Sequence, residues 1–151
     1  MIDPVIPAIS TAAVGPLGLM HLPRLWLKNL LFALGRLPPD YKHTTGTFDR
    51  MIIETLAIDE AAMLAYFQSE KPDYLQFEGW IARHARHLDD GVVREVNARY
   101  LATQMSEAGA SARRSELGLD DPSLRLGIVL NDLDDWAAVH RHLAAPTHPK
   151  E

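Results

Sequence analysis

The chain contains no cysteine. That excludes a disulfide framework, a thiolate metal site and a cysteine nucleophile. Positive charge is not in excess either: fifteen Lys and Arg stand against twenty Asp and Glu, a net charge of -5. Non-specific nucleic-acid binding needs a basic field, so this balance counts against it. No run reaches the roughly 20 uninterrupted apolar residues of a membrane span. The richest one, Leu22 to Leu34, is broken by Arg24, Lys28 and Asn29. A secretory leader is not expected, because Asp3 stands where a basic residue belongs and Pro4, Pro7 and Pro16 interrupt the apolar start. The chain has no P-loop, no Gly-x-Gly-x-x-Gly, no Gly-x-Ser-x-Gly, no internal repeat and no low-complexity tract. Together these absences predict a soluble cytoplasmic protein with no cofactor, no membrane partner and no nucleic-acid partner.

What is present fits one globular domain. The 151 residues suffice to bury roughly 68–70% of the unfolded chain's surface, and an apolar fraction of 47% argues against disorder. Charge is uneven along the chain. Residues 1–50 carry five basic and three acidic side chains, residues 51–116 seven and eleven, and residues 117–151 three and six. A basic first third beside an acidic remainder is consistent with intramolecular complementarity, or with an anion-binding cleft on the basic part.

The periodicity is helical from Leu22 onward. Residues 1–21 read as an extended apolar arm, 22–145 as a single helical domain and 146–151 as a frayed tail. Pro23 suits a first helical turn, and Leu25, Trp26, Leu27, Leu30, Leu31, Phe32 and Leu34 then cover nearly the whole circumference, the mark of a buried helix. Gly35 to Gly46 reads as a loop. A second helix is expected from about Phe48 to Ala57, capped by Thr45 or Thr47, and a third after Asp59. A fourth opens at Pro72-Asp73 and carries Tyr74, Phe77, Ile81 and Leu88. A fifth runs from Asp89 or Asp90 to about Met105, followed by a weaker amphipathic stretch to Leu117. Leu124 to Leu130 fits no single element, and Asn131 or Asp132 is expected to cap a last helix. The fold class is all-α, a compact array of five to seven helices around a buried first helix, with an extended N-terminal arm.

Several short motifs recur in a recognisable order: Leu22-Pro23-Arg24 with Lys28 four residues on, Gly46-Thr47-Phe48-Asp49, Leu56-Ala57-Ile58-Asp59, Trp80, and Leu133-Asp134-Asp135-Trp136. Over about residues 15–136 this order resembles a bacterial family of small helical proteins, domain of unknown function 5069. The family often has an acidic residue just before the lysine, where this chain has Leu27. The resemblance implies a small helical domain and assigns no chemistry.

Arg24 and Lys28 share one face of an otherwise apolar helix. An unpaired buried charge is costly, so both must pair with acids such as Asp49, Glu54 or Glu78, snorkel outward, or bind an anion. Tyr41, His43, Thr44, Thr45, Thr47 and Asp49 form the densest hydrogen-bonding cluster, on the loop after that helix and at the start of the next. His84 and His87 sit at i and i+3, but they lack the carboxylate spacing of a metal helix and have Arg83 and Arg86 beside them, so no metal site is expected. Asp132, Asp134 and Asp135 lack the glycine turn and distal glutamate of a calcium loop. They read as capping acids that are also available to Arg24 and Lys28. Arg83, Arg86, Arg94, Arg99, Arg113 and Arg114 offer at most a local basic stripe.

The favoured function is binding of a small anionic or carbonyl metabolite in a pocket, extending to cofactor-independent acid/base conversion. Lys28 and Asp49 are the catalytic candidates, and Arg24, Tyr41 and His43 the ligand-binding candidates. The alternative is a non-catalytic interaction or homo-oligomerisation module using the arm residues Val5, Ile6, Ile9, Val14, Leu17 and Leu19.

Overall fold

Helix starts written into the sequence organise the chain. The computed structural model describes residues 3–146; most of the tail expected at 146–151 lies outside them. Seven helices follow in order: α1 Leu22–Ala33, α2 Thr47–Thr55, α3 Glu60–Glu70, α4 Tyr74–His84, α5 Asp90–Ala102, α6 Glu107–Leu117 and α7 Gly127–Ala144. The described residues are all-helical apart from connecting segments and a single antiparallel bridge, Gln104 to Leu126. No helix among them is long and apolar enough to cross a membrane.

Asp59, Asp73, Asp89 and Ser106 each accept a backbone N–H from the first turn they precede, satisfying donors that a helix start leaves unpaired. At α2 the expected threonine cap is absent. Gly46 occupies the cap position and Thr47 already lies in the helix, while Asp49 reaches back to accept the Gly46 N–H at 3.3 Å.

Three boundaries differ from expectation for local reasons. Helix α4 stops at His84, short of Leu88, because Ala85 turns extended and the Arg86 and His87 N–H groups go to the Leu56 carbonyl instead. Helix α5 stops at Ala102 rather than Met105, since the next residues pair with the segment before α7: Met105 N–H donates to Arg125 O and Gly127 N–H to Thr103 O. The last helix begins at Gly127, not at Asn131 or Asp132. The acids at 132, 134 and 135 therefore sit inside α7 rather than at its start, and each side chain is free to bond elsewhere. Gly127 is needed where it is, because a Cβ there would lie 2.9 Å from the Phe48 ring and 3.3 Å from the Thr103 carbonyl.

Helix α1 packs on α3 and α4, α2 on α5, and α6 on α7. Leu22, Leu25, Ile52, Leu56, Met63, Phe67, Phe77, Ile81, Val96 and Tyr100 make one buried cluster. Within α1 the buried residues include Arg24, Lys28 and Asn29 beside Leu22, Leu25 and Leu31, whereas Phe32 is exposed. Residues 3–21 hold no helix or strand. They are fastened to the helices by hydrogen bonds: Val5 N–H to Arg36 O, Leu17 N–H to Glu78 and Met20 N–H to Asn97.

Candidate functional site

His21, Arg24 and Lys28 follow one another at intervals of three and four, so they line one side of α1 and its entry. They form part of a cleft of about 1040 Å³ walled by the 38–42 loop, the N-terminus of α2, residues 103–106, α6 and α7. That volume is at the upper end of small-molecule pockets.

The Lys28 ammonium meets the Asp49 carboxylate, Nζ to Oδ2 at 2.5 Å. The other oxygen of Asp49 accepts from His21 Nε2 at 2.7 Å, and His21 Nδ1 lies 2.9 Å from the Thr11 hydroxyl. Burial drives the His21 pKa below its ordinary value, outweighing the pull of Asp49. Burial pushes the Asp49 carboxyl the other way, but the His21 hydrogen bond and the Lys28 charge prevail and hold it below the usual carboxylate value. The tautomer follows: His21 is neutral and donates from Nε2 to the ionised Asp49, so Nδ1 accepts from Thr11.

A hydroxyl, an imidazole and a carboxylate in line suggest nucleophilic catalysis. Thr11, however, is only 1% exposed, so no substrate reaches its oxygen. His21 instead fixes Asp49. Its ring stacks on Tyr100 and meets Phe48 edge-on, and its backbone takes φ 70°, a left-handed conformation rare outside glycine.

Lys28 is buried, and desolvation lowers its pKa even against the attraction of Asp49. Among the described residues Asp49 is the one hydrogen-bond partner of Lys28 Nζ, and an ammonium carries three donors. Two N–H groups of a cleft-lining lysine are therefore available to a ligand.

Arg24 differs. Its Nη1 donates to Asp135 and to the carbonyls of Pro7 and Ile9, at 2.8 and 2.9 Å, while Nη2 donates to Asp135 at 3.2 Å. The Tyr41 hydroxyl donates to Asp135 at 2.9 Å. Burial and then the Asp135 charge raise the Tyr41 pKa, so the phenol keeps its proton. Arg24 thus ties residues 7–9 to α7, and Tyr41 braces the same carboxylate from the cleft wall. His43 does not line the cleft; its ring stacks on Phe32 with centroids 3.8 Å apart, and its carbonyl accepts from Asn29.

The remaining candidates go elsewhere. Glu54 pairs with Arg50, and Glu78 accepts from Tyr74 and Leu17. Arg113 pairs with Asp134, and the buried Arg114 bonds Glu107 and the Leu124 carbonyl, which removes both from any basic stripe. His84 stacks on Trp80. No motif marks Thr11 or His21, although His21 continues the spacing of Arg24 and Lys28 one turn back.

No family model, curated protein or solved structure matches the chain. The geometry of the cleft therefore carries the functional conclusion.

Proposed function

We propose that the cleft receives a small anionic or carbonyl-bearing metabolite against Lys28, with Asp49 as the proton partner of that lysine and His21 as the residue that positions Asp49. The supporting observation is the pairing of opposite features in one side chain: Lys28 is buried enough to lose proton affinity, yet it faces a cleft with two N–H donors unengaged. Three helices, α2, α6 and α7, also bring N-terminal residues to the wall, at Gly46, Ser106 and Gly127, and such termini favour negative charge. On this reading α1 is the central helix of the array and residues 3–21 are an arm drawn across it by Arg24.

Acid/base conversion of the ligand is the natural extension. A lysine of lowered proton affinity beside an ionised carboxylate can polarise a carbonyl or accept a proton without a cofactor. The motifs that carry the family resemblance supply Arg24, Lys28, Gly46, Asp49 and Asp135, the residues that meet around this floor. We propose on that basis that the resemblance reflects a shared site.

Native mass spectrometry of freshly purified protein, set against its denatured mass, tests the proposal. A non-covalent mass excess that disappears on denaturation is expected, and its size identifies the compound class. A ligand that is retained equally by Lys28→Met would place binding away from the lysine and overturn the proposal.

A further inference from the structure

The chain has four lysines, at 28, 42, 71 and 150. Lys42 and Lys71 are ordinary exposed amines, and Lys28 is not. Its side chain is 8% exposed and lines the cleft, while the Asp49 side chain that pairs with it is 1% exposed. A small molecule in the cleft therefore meets the lysine nitrogen rather than the acid.

The hydrogens on that nitrogen decide what it can do. An ammonium carries three. Among the described residues one goes to Asp49 Oδ2 at 2.5 Å, and the other two have no acceptor. The nitrogen of a protonated imine keeps one N–H and the positive charge and gives up two hydrogens. Replacing the two unengaged N–H bonds by a C=N bond thus leaves the ion pair with Asp49 in place, and no buried charge is orphaned. Asp49 stays anchored meanwhile, because His21 and the Gly46 N–H also donate to it.

We propose that Lys28 is an amine nucleophile that condenses with the carbonyl of a small aldehyde or ketone to form a covalent imine. In this role Lys28 acts within the ligand site proposed above, on which the inference rests, and the ligand narrows to a carbonyl compound. Nζ first loses a proton, and Asp49 Oδ2 is the base in contact with it. The freed electron pair attacks the carbonyl carbon, and the π pair of the C=O bond moves to oxygen. One hydrogen from Nζ and the proton held by Asp49 then leave with that oxygen as water. A protonated imine remains against an ionised Asp49, with atoms and charge in balance and no oxidant needed. The surroundings favour the free amine. Burial is the leading influence on the Lys28 pKa and lowers it, and Arg24 on the same helix acts in that direction. Together they outweigh the opposing pull of Asp49 on α2 and Asp135 on α7.

Reductive trapping tests this on the native protein. Sodium cyanoborohydride reduces a protonated imine to a stable secondary amine, and the probes are pyruvate, dihydroxyacetone and glycolaldehyde. At least one should give an adduct that peptide mass mapping places on Lys28. It should form on the order of tenfold faster than at Lys42 or Lys71, since each unit of lowered pKa gives about ten times more free amine near pH 7. Labelling of Lys28 should also level off at a lower pH than labelling of the other two. The mapping needs no variant; Lys28→Met, shown to be folded by circular dichroism, should lose the adduct. Equal labelling of the three lysines, or none at Lys28 with any probe, would overturn the proposal. If a carboxylate or phosphate stabilised the native chain through Lys28 while no carbonyl probe was trapped, the imine would fall and the ligand site would stand. Failure of both would remove the two together.

Discussion

His21 and Lys28 donate to different oxygens of one buried carboxylate, Asp49, at 2.7 and 2.5 Å. The arrangement makes Asp49 a hinge between a neutral and a charged donor. The consequences for the two acceptor contacts are unequal. Without Asp49, Lys28 is a buried charge with no ion-pair partner among the described residues; without Lys28, Asp49 still accepts from His21 and Gly46.

Asp49→Asn is therefore expected to lower stability by about 3–5 kcal/mol, the usual penalty for orphaning a buried charge. Lys28→Met should lower it by less, about 1–2 kcal/mol, because two N–H donors still satisfy the carboxylate. Urea unfolding of both variants checks the order. An equal or reversed ranking would mean that Asp49 does not hold Lys28 in solution.

Acid should destabilise the protein in two stages. The His21 pKa lies below 6.5 in the fold, so on acidification the unfolded chain takes up a proton that the native state refuses. Stability is then full above about pH 6.5 and declines as pH falls through that value towards the native pKa. Asp49, held below 3.8, adds a second loss that begins as pH falls past about 3.8. His21→Gln should remove most of the first stage and leave the second. A urea midpoint that stays flat between about pH 7 and 5 in the native sequence would contradict the neutral, buried histidine.

Arg24→Lys should behave as a disruptive change despite conserving charge. A lysine cannot span Asp135 and the Pro7 and Ile9 carbonyls from one planar group. Loss of about 2–4 kcal/mol is expected, with amide exchange rising in residues 5–11. A double-mutant cycle with Asp135→Asn should show strong coupling. Additive effects would separate the two residues.

Gly127→Ala tests the wall formed by α7. The added methyl meets Phe48 and the Thr103 carbonyl at 2.9 and 3.3 Å, and overpacking of this kind costs about 1–3 kcal/mol. A thermal melt at or above that of the native chain would show that the ring moves freely aside.

Much of this fold is written locally. Asp59, Asp73 and Asp89 announce their helices because a cap and the periodic run after it are contiguous. Leu124 to Leu130 could not be read, since its halves do different things: Leu126 bridges to Gln104, and Gly127 opens α7. Seven residues, with Arg125 and Gly127 among them, hold too little period to show that division. The Lys28–Asp49 pair lay among the partners that spacing and charge suggested. Arg24 with Asp135 was harder, because three acids lie close together and only their true phase on α7 separates them. His21 was hidden by its left-handed backbone, which no neighbouring glycine or asparagine signals. Its partner Thr11 is joined to it through a loop closure that composition does not encode.

The most direct measurement is the change in melting temperature caused by a panel of small carboxylates, phosphates and keto acids, in the native chain and in Lys28→Met. One class should stabilise the native protein, by about 2.7 kcal/mol when present at a hundred times its dissociation constant. The same compounds should leave a folded Lys28→Met unmoved. Equal stabilisation of both proteins, or none of the native chain by any compound in the panel, would contradict a ligand site at Lys28.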